Sequence, residues 1–421
     1  MTRFYRILLF AIVCSVAGTT AWAANEDLSM GADYADDVYF SVIHGVTGTA
    51  DADDWDIAFQ VNSIEGGLIC NEAAGVEVYY VDGSDGETYN SPIDTSNFRQ
   101  KWTRWFNGPD SWRNGAFNME VDFNTGSYGW GEYNPVTHGV SGIATYIIVD
   151  RSGKVCKMVV ESLSGGVLKF KYSQPDGSNE KVGEIDKNAY PDRLFGYYDM
   201  LEHKALNREP AMQEWELLFS RYIELLGPNQ DLPYPVVGVQ VNDGVTVAMV
   251  NSDAPETVAE PDAGDFRTYK RSIGSDWKTW ENNAYTIDES RVFFVKRPDE
   301  TVYRIVFRGF SGASAGDVEF DLYPARQTVG VDGGDADNRG ALLFPSVATR
   351  GEQVQLAFTA NAAAADLAVY DLQGRLLQSQ TVSAAGELTV ANIATENLTS
   401  GCYLIELRQG ETRTTRRLVV R

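Results

Sequence analysis

The stretch DDWDIAF (Asp53–Phe59) returns 160 residues later as QEWELLF (Gln213–Phe219). Each word places an acid after a tryptophan and ends in an alternating apolar run, which is typical of a β-strand with one buried face. The alternation puts Trp55 on the same face as the two alternate apolar residues that follow it, and Trp215 repeats this arrangement. Buried tryptophans contribute large apolar areas to protein cores. We therefore predict that each word starts a β-rich unit and that its tryptophan is buried there.

A longer match extends the repeat. YIIVDRSGKVCKMVVESLSG (146–165) aligns without a gap with FFVKRPDETVYRIVFRGFSG (293–312), and Trp130 and Trp277 stand 16 residues before the respective segments. Each segment contains two β-branched and aromatic runs joined by a polar turn, which predicts a β-hairpin. A Gly-rich turn then leads into a third alternating strand, VLKFKY in the first copy and DVEFDL in the second. The pattern indicates an internal duplication.

Composition separates the remaining segments. Two arginines, a short apolar run and an Ala-Trp-Ala site predict a secretory signal peptide at 1–23. A Gly/Asp-rich stretch at 326–340 is predicted to be a linker, since its acids lack the spacing of an EF-hand loop. Lysine disappears after it, and 341–421 shows short alternating strands. The predicted fold is mainly β, with two tandem repeated β-rich units, at 33–182 and 190–325, followed by a small C-terminal β-sandwich.

The charge and the cysteines exclude several classes of protein. The formal net charge is −24, which disfavours nucleic acid and anionic lipid as partners. No segment after the signal peptide is long and apolar enough for a transmembrane helix. Cys70, Cys156 and Cys402 remain in the mature chain without CxxC spacing, which indicates neither a disulfide framework nor a zinc site. Cys156 is interpreted as a small buried residue, with a Cys70–Cys156 bridge as the alternative.

The sequence contains one enzyme-like motif. Residues 312–316, GASAG, satisfy G-x-S-x-G, but a nucleophile elbow needs a strand-to-helix turn and a later histidine. Here the motif joins two predicted strands, and the last histidine is His203. Zinc-protease, P-loop and dinucleotide motifs are absent from the sequence. We predict no catalytic residues, no metal ligands and no enzymatic activity.

Three tryptophans crowd the middle of the first copy. FRQKWTRWFNGPDSWRNGAF (98–117) contains Trp102, Trp105 and Trp112 around a Gly-Pro break. These rings either pack on the unit or line a ligand surface, since aromatic rings stack on flat ligands and sugars. They are the candidate residues for binding a glycan.

The C-terminal segment resembles the type A sorting domain of the type IX (Por) secretion system. The matching words are LLFPS (342–346), LAVYDLQGRLL (367–377), LTSGCYLIELRQG (398–410) and the basic-then-apolar end TTRRLVVR. The resemblance implies that 341–421 engages the type IX secretion machinery. It further implies transport across the outer membrane, removal of the domain, and release or attachment at the cell surface.

The duplicated part is similar to the HmuY family of exported haem-binding proteins. The matching words are DDWDIAF, GWGEYNPVTHG (129–139), YIIVDRSGKVCKMVV and LKFKY, with QEWELLF, GSDWK and VYRIVF in the second copy. The resemblance implies an all-β fold and haem as the ligand. The family's best-known member holds haem through two axial histidines.

Haem iron accepts His, Met, Cys or Tyr as a protein ligand. His138 stands eight residues after Trp130, and Tyr285 stands at the same offset after Trp277. These two residues and His44 are therefore the candidate haem ligands. The alternative is that this position is merely a half-exposed turn before a hairpin.

These observations give two hypotheses. The first is an exported, cell-surface or released non-enzymatic binding protein, with haem as the ligand by resemblance. The second is a surface adhesin or structural protein that binds a glycan or a host protein.

Overall fold

The computed structural model describes residues 24–63, 66–118, 122, 125–229, 231–326, 341–344, 347–359, 364–371, 374–383, 388–410 and 412–421. The predicted signal peptide, and the predicted linker after residue 326, lie outside this range. The described chain is mainly β, as predicted. Its helical segments are one α-helical turn, α1 (Phe98–Lys101), and short 3-10 turns at Ala32–Tyr34, Glu72–Ala74, Gly86–Asn90, Lys187–Ala189, Met212–Glu214, Ala263–Asp265 and Gly312–Ser314.

Strands follow one another closely along the first half of the chain. The N-terminal strands are β1 (Ala24–Ser29), β2 (Asp36–Ser41) and β3 (Gly45–Asp51). The next twelve are β4 (Ile57–Gln60), β5 (Leu68–Cys70), β6 (Glu77–Tyr80), β7 (Arg104–Trp105), β8 (Gly131–Asn134), β9 (Gly139–Gly142), β10 (Thr145–Val149), β11 (Val155–Ser164), β12 (Val167–Ser173), β13 (Lys181–Asp186), β14 (Phe195–Asp199) and β15 (Lys204–Leu206).

The second half continues in the same way. Its first eight strands are β16 (Leu217–Leu226), β17 (Leu232–Val241), β18 (Thr246–Asn251), β19 (Lys278–Glu281), β20 (Ala284–Ile287), β21 (Arg291–Lys296), β22 (Val302–Phe310) and β23 (Asp317–Arg326). The C-terminal strands are β24 (Ala341–Phe344), β25 (Val347–Ala348), β26 (Val354–Thr359), β27 (Ala364–Asp371), β28 (Leu376–Ser383), β29 (Leu388–Ile393), β30 (Gly401–Gln409) and β31 (Thr412–Val420).

The predicted hairpins are confirmed. β10 pairs antiparallel with β11, with Tyr146 opposite Met158, and β21 pairs with β22, with Phe293 opposite Ile305. The third strand of each copy, β12 or β23, pairs with the second strand. These registers place the alternating apolar residues of both copies on a buried face, as period-two patterning requires.

Two β-sandwiches contain the duplicated sequence. The first sandwich packs the sheet β13-β12-β11-β10-β6-β7, to which β8 and β9 are attached, against the sheet β15-β14-β4-β5. The second sandwich packs β1-β23-β22-β21-β18 against β17-β16-β2-β3. Each pair of sheets encloses its own apolar core.

The sheets group the strands differently from the predicted sequence units at 33–182 and 190–325. The strands β1 to β3 join the second sandwich, whereas β14 and β15, which lie within 190–325, join the first. Leu28 in β1 faces Val318 in β23, and Phe40 in β2 faces Leu217 in β16. The first sandwich is therefore continuous, whereas the second combines the N-terminal strands with β16 to β23. Alternation in the sequence specifies which face of a strand is buried but not which strand is its neighbour.

The acid of the repeated word joins the two sheets of each sandwich. In the first, the buried Asp56 carboxylate accepts hydrogen bonds from the backbone N–H groups of Met200, at 2.8 Å, and Arg151, at 3.0 Å. It also pairs with the Arg151 guanidinium, whose other nitrogen lies 2.7 Å from Asp199 Oδ1. Burial raises the pKa of Asp56, and these hydrogen bonds oppose that shift. The carboxylate thus ties β14 to the turn between β10 and β11.

Glu216 makes the corresponding contacts in the second sandwich. Its carboxylate accepts from the backbone N–H of Val42 at 2.9 Å and from Arg297 Nε at 2.7 Å. Val42 follows β2, and Arg297 lies in the turn between β21 and β22. The acid of each Trp-acid word thus forms a buried ion pair that links the two sheets of its sandwich.

Trp55 and Trp215 are buried, as predicted, with 8% and 1% of their surface exposed. The prediction that Trp55 shares a face with Ile57 and Phe59 is wrong. The strand begins only at Ile57, so Trp55 packs in a cluster between the two four-stranded sheets, whereas Ile57 and Phe59 enter the core of the first sandwich. Trp215 belongs to the same cluster. Both tryptophans therefore join one sandwich to the other.

Cys70 and Cys156 are free thiols buried in the core of the first sandwich. The alternative of a bridge between them is therefore not realised. Burial raises the pKa of both thiols, that of Cys156 to about 11. They act as small apolar residues.

The C-terminal strands form two further sheets. One is β24-β26-β29, and the other is β25-β31-β30-β27-β28, in which β25 and β31 are parallel. Apolar residues of both sheets share a core. This arrangement agrees with the small sandwich predicted for 341–421.

Candidate functional site

Each sandwich carries a short hairpin directly after a buried tryptophan. Trp130 precedes β8 and β9 in the first, and Trp277 precedes β19 and β20 in the second. The second hairpin turns through Asn282 and Asn283, both at positive φ (51° and 64°), the backbone shape that suits a two-residue hairpin turn. The first hairpin has a longer turn, residues 135–138.

The third residue after each buried tryptophan is an exposed aromatic. Tyr133 in β8 is 39% exposed, and Trp280 in β19 is 59% exposed. Aromatic rings with a free face are common at recognition surfaces, because they offer a large, rigid contact area. The shared offset from Trp130 and Trp277 was the sequence signal for this pair.

Trp280 rests on a chain of aromatic rings. Its ring lies 4.8 Å from that of Tyr285, its cross-strand neighbour, in an edge-to-face arrangement. Tyr285 in turn lies 4.7 Å from Phe310, and Phe310 stacks on Tyr34 at 5.9 Å. Such contacts fix ring orientation. We call Trp280, Tyr285, Phe310 and Tyr34 the aromatic platform.

The backbone beneath the platform is closely fitted. Gly312 has φ of +70°, and a Cβ atom added there would lie 3.0 Å from the Tyr285 ring. Lys278 Nζ lies 4.8 Å from the Phe310 ring centroid and donates to the carbonyl oxygen of Val237 at 2.5 Å. Burial lowers the pKa of Lys278 to about 8. The platform is thus anchored to the body of the second sandwich.

His138 and Tyr285 are not equivalent in the structure, although the sequence gives them the same offset. His138 is exposed at the end of the β8–β9 turn, with φ of 54°, and its Nδ1 lies 2.9 Å from Tyr133 Oη. Tyr285 is half-buried within β20. The two turns differ in length, so a fixed offset reaches a turn in one hairpin and a strand in the other.

The other histidines lie in two further turns. His44 is exposed between β2 and β3, in the second sandwich. His203 ends the turn between β14 and β15, with its Nδ1 2.5 Å from Tyr172 Oη. The three histidines therefore occupy three separate turns of the described chain.

The three candidate glycan tryptophans lie in packed surroundings. Trp102 is buried on the outer face of the sheet that contains β10. Trp105 is half-buried and stacks on Tyr80 at 4.9 Å. Trp112 is buried between the sandwiches and donates from Nε1 to the carbonyl oxygen of Val241 at 2.8 Å. Trp280, which the sequence analysis did not select, is more exposed than Trp102 and Trp112.

Among the described residues, no group of three or more His, Cys, Asp or Glu side chains is placed to hold a metal ion. None of the helices in this part of the chain has the length and apolar character needed to cross a membrane. Residues 312–316, which carry the G-x-S-x-G match, join β22 to β23.

Comparison with known families identifies the C-terminal part. Residues 346–421 match the secretion system C-terminal sorting domain, which confirms the resemblance of this segment to a type IX sorting domain. The protein is therefore exported by the type IX system to the cell surface or the extracellular space, and it interacts with that machinery. The similarity of 33–325 to the HmuY family is not shown by the comparisons and stays a prediction.

No protein of curated function matches the chain. Among solved structures, dimeric latent PorU from Porphyromonas gingivalis aligns with 68% of this chain at 12% identity and a TM-score of 0.19. The match covers 31% of PorU, so the chain spans about a third of that protein. The BSP domain of a biofilm-associated protein aligns with 96% of this chain and 67% of its own length, at 9% identity and a TM-score of 0.20. Scores this low carry no inference about fold or function.

Proposed function

We propose that the exported chain is a non-enzymatic binding protein and that Trp280 is its principal ligand contact, with carbohydrate as the ligand class. The observation that carries the proposal is the exposure of Trp280 on an ordered aromatic platform. A ring held in one orientation loses little conformational entropy when a ligand stacks on it.

The surroundings of Trp280 favour a sugar over a purely apolar ligand. Glu281, Asn282 and Asn283 follow it directly, and all three are exposed. Carboxylate and amide groups bind hydroxyl groups, whereas the indole face contacts the apolar face of a sugar ring. Tyr133 supplies a smaller aromatic surface at the corresponding place on the first sandwich.

A glycan array probed with the exported chain, followed by calorimetric titration of the glycans that bind, tests this proposal. Trp280→Ala is expected to weaken binding at least tenfold. Tyr234→Ala is the matched control, because Tyr234 is another exposed aromatic, on β17, and takes no part in the ring contacts of the platform. Equal affinities for both variants and the wild type, or an array without bound glycans, would refute the proposal.

Haem is the second candidate ligand, supported by the sequence resemblance and by the position of His138. Because Nδ1 of His138 faces Tyr133 Oη, Nε2 is the nitrogen that would bind iron. A haemin titration followed at the Soret band should show a shift that His138→Ala abolishes and that His203→Ala leaves intact. A wild-type protein without a Soret shift removes haem from consideration.

A further inference from the structure

A cavity of about 60 Å³ lies between the two sandwiches. Its walls come from the two four-stranded sheets and from loops of both sandwiches. The first sandwich contributes the turn at Glu72 and the loop that carries Trp112, and the second contributes Tyr222, Lys270 and Arg271. One ordered water needs roughly 10–15 Å³ of such space, so the cavity is large enough for several waters or one small polyatomic ion.

Lys270 is buried in the wall of this cavity, with 3% of its surface exposed. Its backbone is fixed, since its N–H donates to the Asp110 carbonyl at 3.0 Å and its carbonyl accepts from Val241 at 2.7 Å. The ammonium group lies 4.9 Å from the centroid of the Trp112 ring. No described residue accepts a hydrogen bond from Nζ or forms an ion pair with it. The ammonium group therefore takes its hydrogen bonds from whatever occupies the cavity.

Further donors in the same wall also lack partners. Arg271 Nε, Arg221 Nε and Trp55 Nε1 are buried and form no hydrogen bond. A buried donor left unpaired costs about 1–3 kcal/mol. Tyr222 Oη, in the same wall, is also buried without a partner. Each of these groups can donate a hydrogen bond, so a ligand that satisfies them must be rich in acceptors.

The charges that line the cavity also favour a ligand rich in acceptors. Four basic side chains and two acidic ones line the cavity, in a protein whose net charge is −24. Arg208 is paired with Asp37, and Arg221 is paired with Asp53. The Lys270 and Arg271 cations are then opposed by the second lining acid, Glu72.

The carboxylate of Glu72 already accepts a hydrogen bond from the protein. Its Oε1 accepts a hydrogen bond from the backbone N–H of Asn107 at 2.6 Å. Burial raises the pKa of Glu72 to about 7, so the carboxyl group is partly protonated near neutral pH and neutralises the two cations incompletely.

We propose that this cavity binds a small oxyanion, of the size of sulfate, phosphate or a short carboxylate, between Lys270 and Arg271. The anion accepts hydrogen bonds from both side chains and from Trp55 Nε1, and it joins the two sandwiches. Charge-assisted hydrogen bonds to guanidinium and ammonium groups are the strongest in proteins. This site is independent of the aromatic platform.

Binding of the anion should strengthen as the pH falls from 8 to 6. Burial, and then the neighbouring Arg271, lower the pKa of Lys270 to about 7, whereas Glu72, Asp110 and Cys70 of the first sandwich raise it. Protonation of Lys270 adds a positive charge to the cavity, and protonation of Glu72 removes a negative one. Both changes favour the anion.

Isothermal titration of the exported chain with sodium sulfate, sodium phosphate, sodium acetate or sodium chloride tests the proposal. Ionic strength is held constant and anion concentrations stay in the low millimolar range, because concentrated sulfate stabilises proteins without a site. At least one oxyanion should bind at least tenfold more tightly than chloride, and more tightly at pH 6 than at pH 8. The ranking of sulfate, phosphate and acetate then shows whether a tetrahedral oxyanion or a carboxylate is preferred.

Lys270→Met should reduce oxyanion affinity at least tenfold, and Lys270→Arg should restore part of it. Lys204→Met is the matched control, because Lys204 is exposed on β15, and it should bind as the wild type does. Circular dichroism confirms that each variant is folded. Indistinguishable heats for chloride and all three oxyanions, or unchanged oxyanion affinity in folded Lys270→Met, would overturn the proposal.

Discussion

The two sandwiches share the order of their main strands, and each has a buried acid at the corresponding position, Asp56 or Glu216, but the chain supplies their strands differently. The first sandwich uses one continuous segment, β4 to β15, whereas the second needs β1 to β3 in addition to β16 to β23. In each, the third strand of the hairpin motif pairs with the strand just before the start of the other sequence unit, β12 with β13 and β23 with β1. The duplicated sequence thus forms two similar sandwiches, but only the first is built from one continuous segment.

The largest expected effect comes from removing β1 to β3 (residues 24–51). The second sandwich then loses two strands from one sheet and the edge strand of the other, with Phe40 and Leu28 among the lost core residues. We expect this sandwich to lose its cooperative unfolding transition while the first retains its own. Hydrogen exchange of the full and shortened chains measures the outcome, with protection lost in β16 to β23 and kept in β10 to β12.

The same comparison makes a reverse prediction. The segment from Ala52 to Ala211 contains all strands of the first sandwich and should fold when it is expressed alone. Equal protection of both sandwiches in the shortened chain would show that the N-terminal strands are not needed, and the contrast between the sandwiches would disappear.

The next largest effects are expected for the tryptophans of the repeated word. Trp55→Ala and Trp215→Ala should each lower the free energy of unfolding by about 3–5 kcal/mol, as for large aromatic residues removed from cores. Because both rings pack between the sandwiches, either change should also separate one thermal transition into two. Calorimetry measures both quantities.

Trp280→Ala is the control for this prediction. Its ring is exposed, so the free energy of unfolding should change by no more than about 0.5 kcal/mol. A single, unshifted transition for Trp55→Ala would contradict the assignment of Trp55 to the interface.

Breaking the buried ion pair should destabilise the two sandwiches to different extents. Arg151→Met leaves two buried acids, Asp56 and Asp199, without their cation. Arg297→Met leaves Glu216 buried without its cation. Asp299, the second acid that pairs with Arg297, is half-exposed and regains water. Breaking a buried pair costs about 3–5 kcal/mol, and we expect Arg151→Met to reach this range and Arg297→Met to fall below it.

Urea denaturation of the two arginine variants measures the difference. Asp56→Asn is the companion change, and it should recover part of the stability when it is combined with Arg151→Met, because it removes the unpaired charge. Equal losses for both arginine variants would show that Asp199 adds nothing to the first pair.

The sequence predicted the hairpins because alternation and turn residues are local signals. It did not predict the exchange of β1 to β3, whose partners are distant in the chain and are chosen by packing rather than by pattern. It placed Trp55 on the wrong face because the strand starts after Asp56, which turns toward Arg151. His138 and Tyr285 have the same offset in the sequence but different positions in the structure, because the two hairpin turns differ in length.

The aromatic platform could not be predicted from the sequence, for a different reason. Tyr34 lies about 250 residues before Tyr285 in the sequence and reaches Phe310 only because the N-terminal strands join the second sandwich. Trp280, by contrast, was accessible from the sequence through its offset from Trp277.

The pH-dependent effects concern the pair that the two sandwiches bring together, Glu72 and Lys270. The pKa of Lys270 is about 7 in the folded chain, below its ordinary 10.5. The unfolded chain therefore binds this proton more tightly, and stability rises with pH from about 7 to 10. The pKa of Glu72 is also about 7, above its ordinary 4.5. The folded chain binds that proton more tightly, so stability falls as the pH rises from 4.5 to 7.

Two substitutions separate these contributions. Lys270→Met should flatten the rise of the melting temperature above pH 7, and it should stabilise the protein more at pH 7 than at pH 10. Glu72→Gln should reduce the fall between pH 4.5 and 7, although Glu209, whose pKa burial also raises to about 7, keeps its share. Lys204→Met provides the control with an exposed lysine. Melting temperatures are measured across this pH range without added oxyanion, since an anion bound at Lys270 would restore its charge. A Lys270→Met profile parallel to that of the wild type above pH 7 would mean that Lys270 keeps its ordinary pKa, and that the interface between the sandwiches places no uncompensated cation in the cavity.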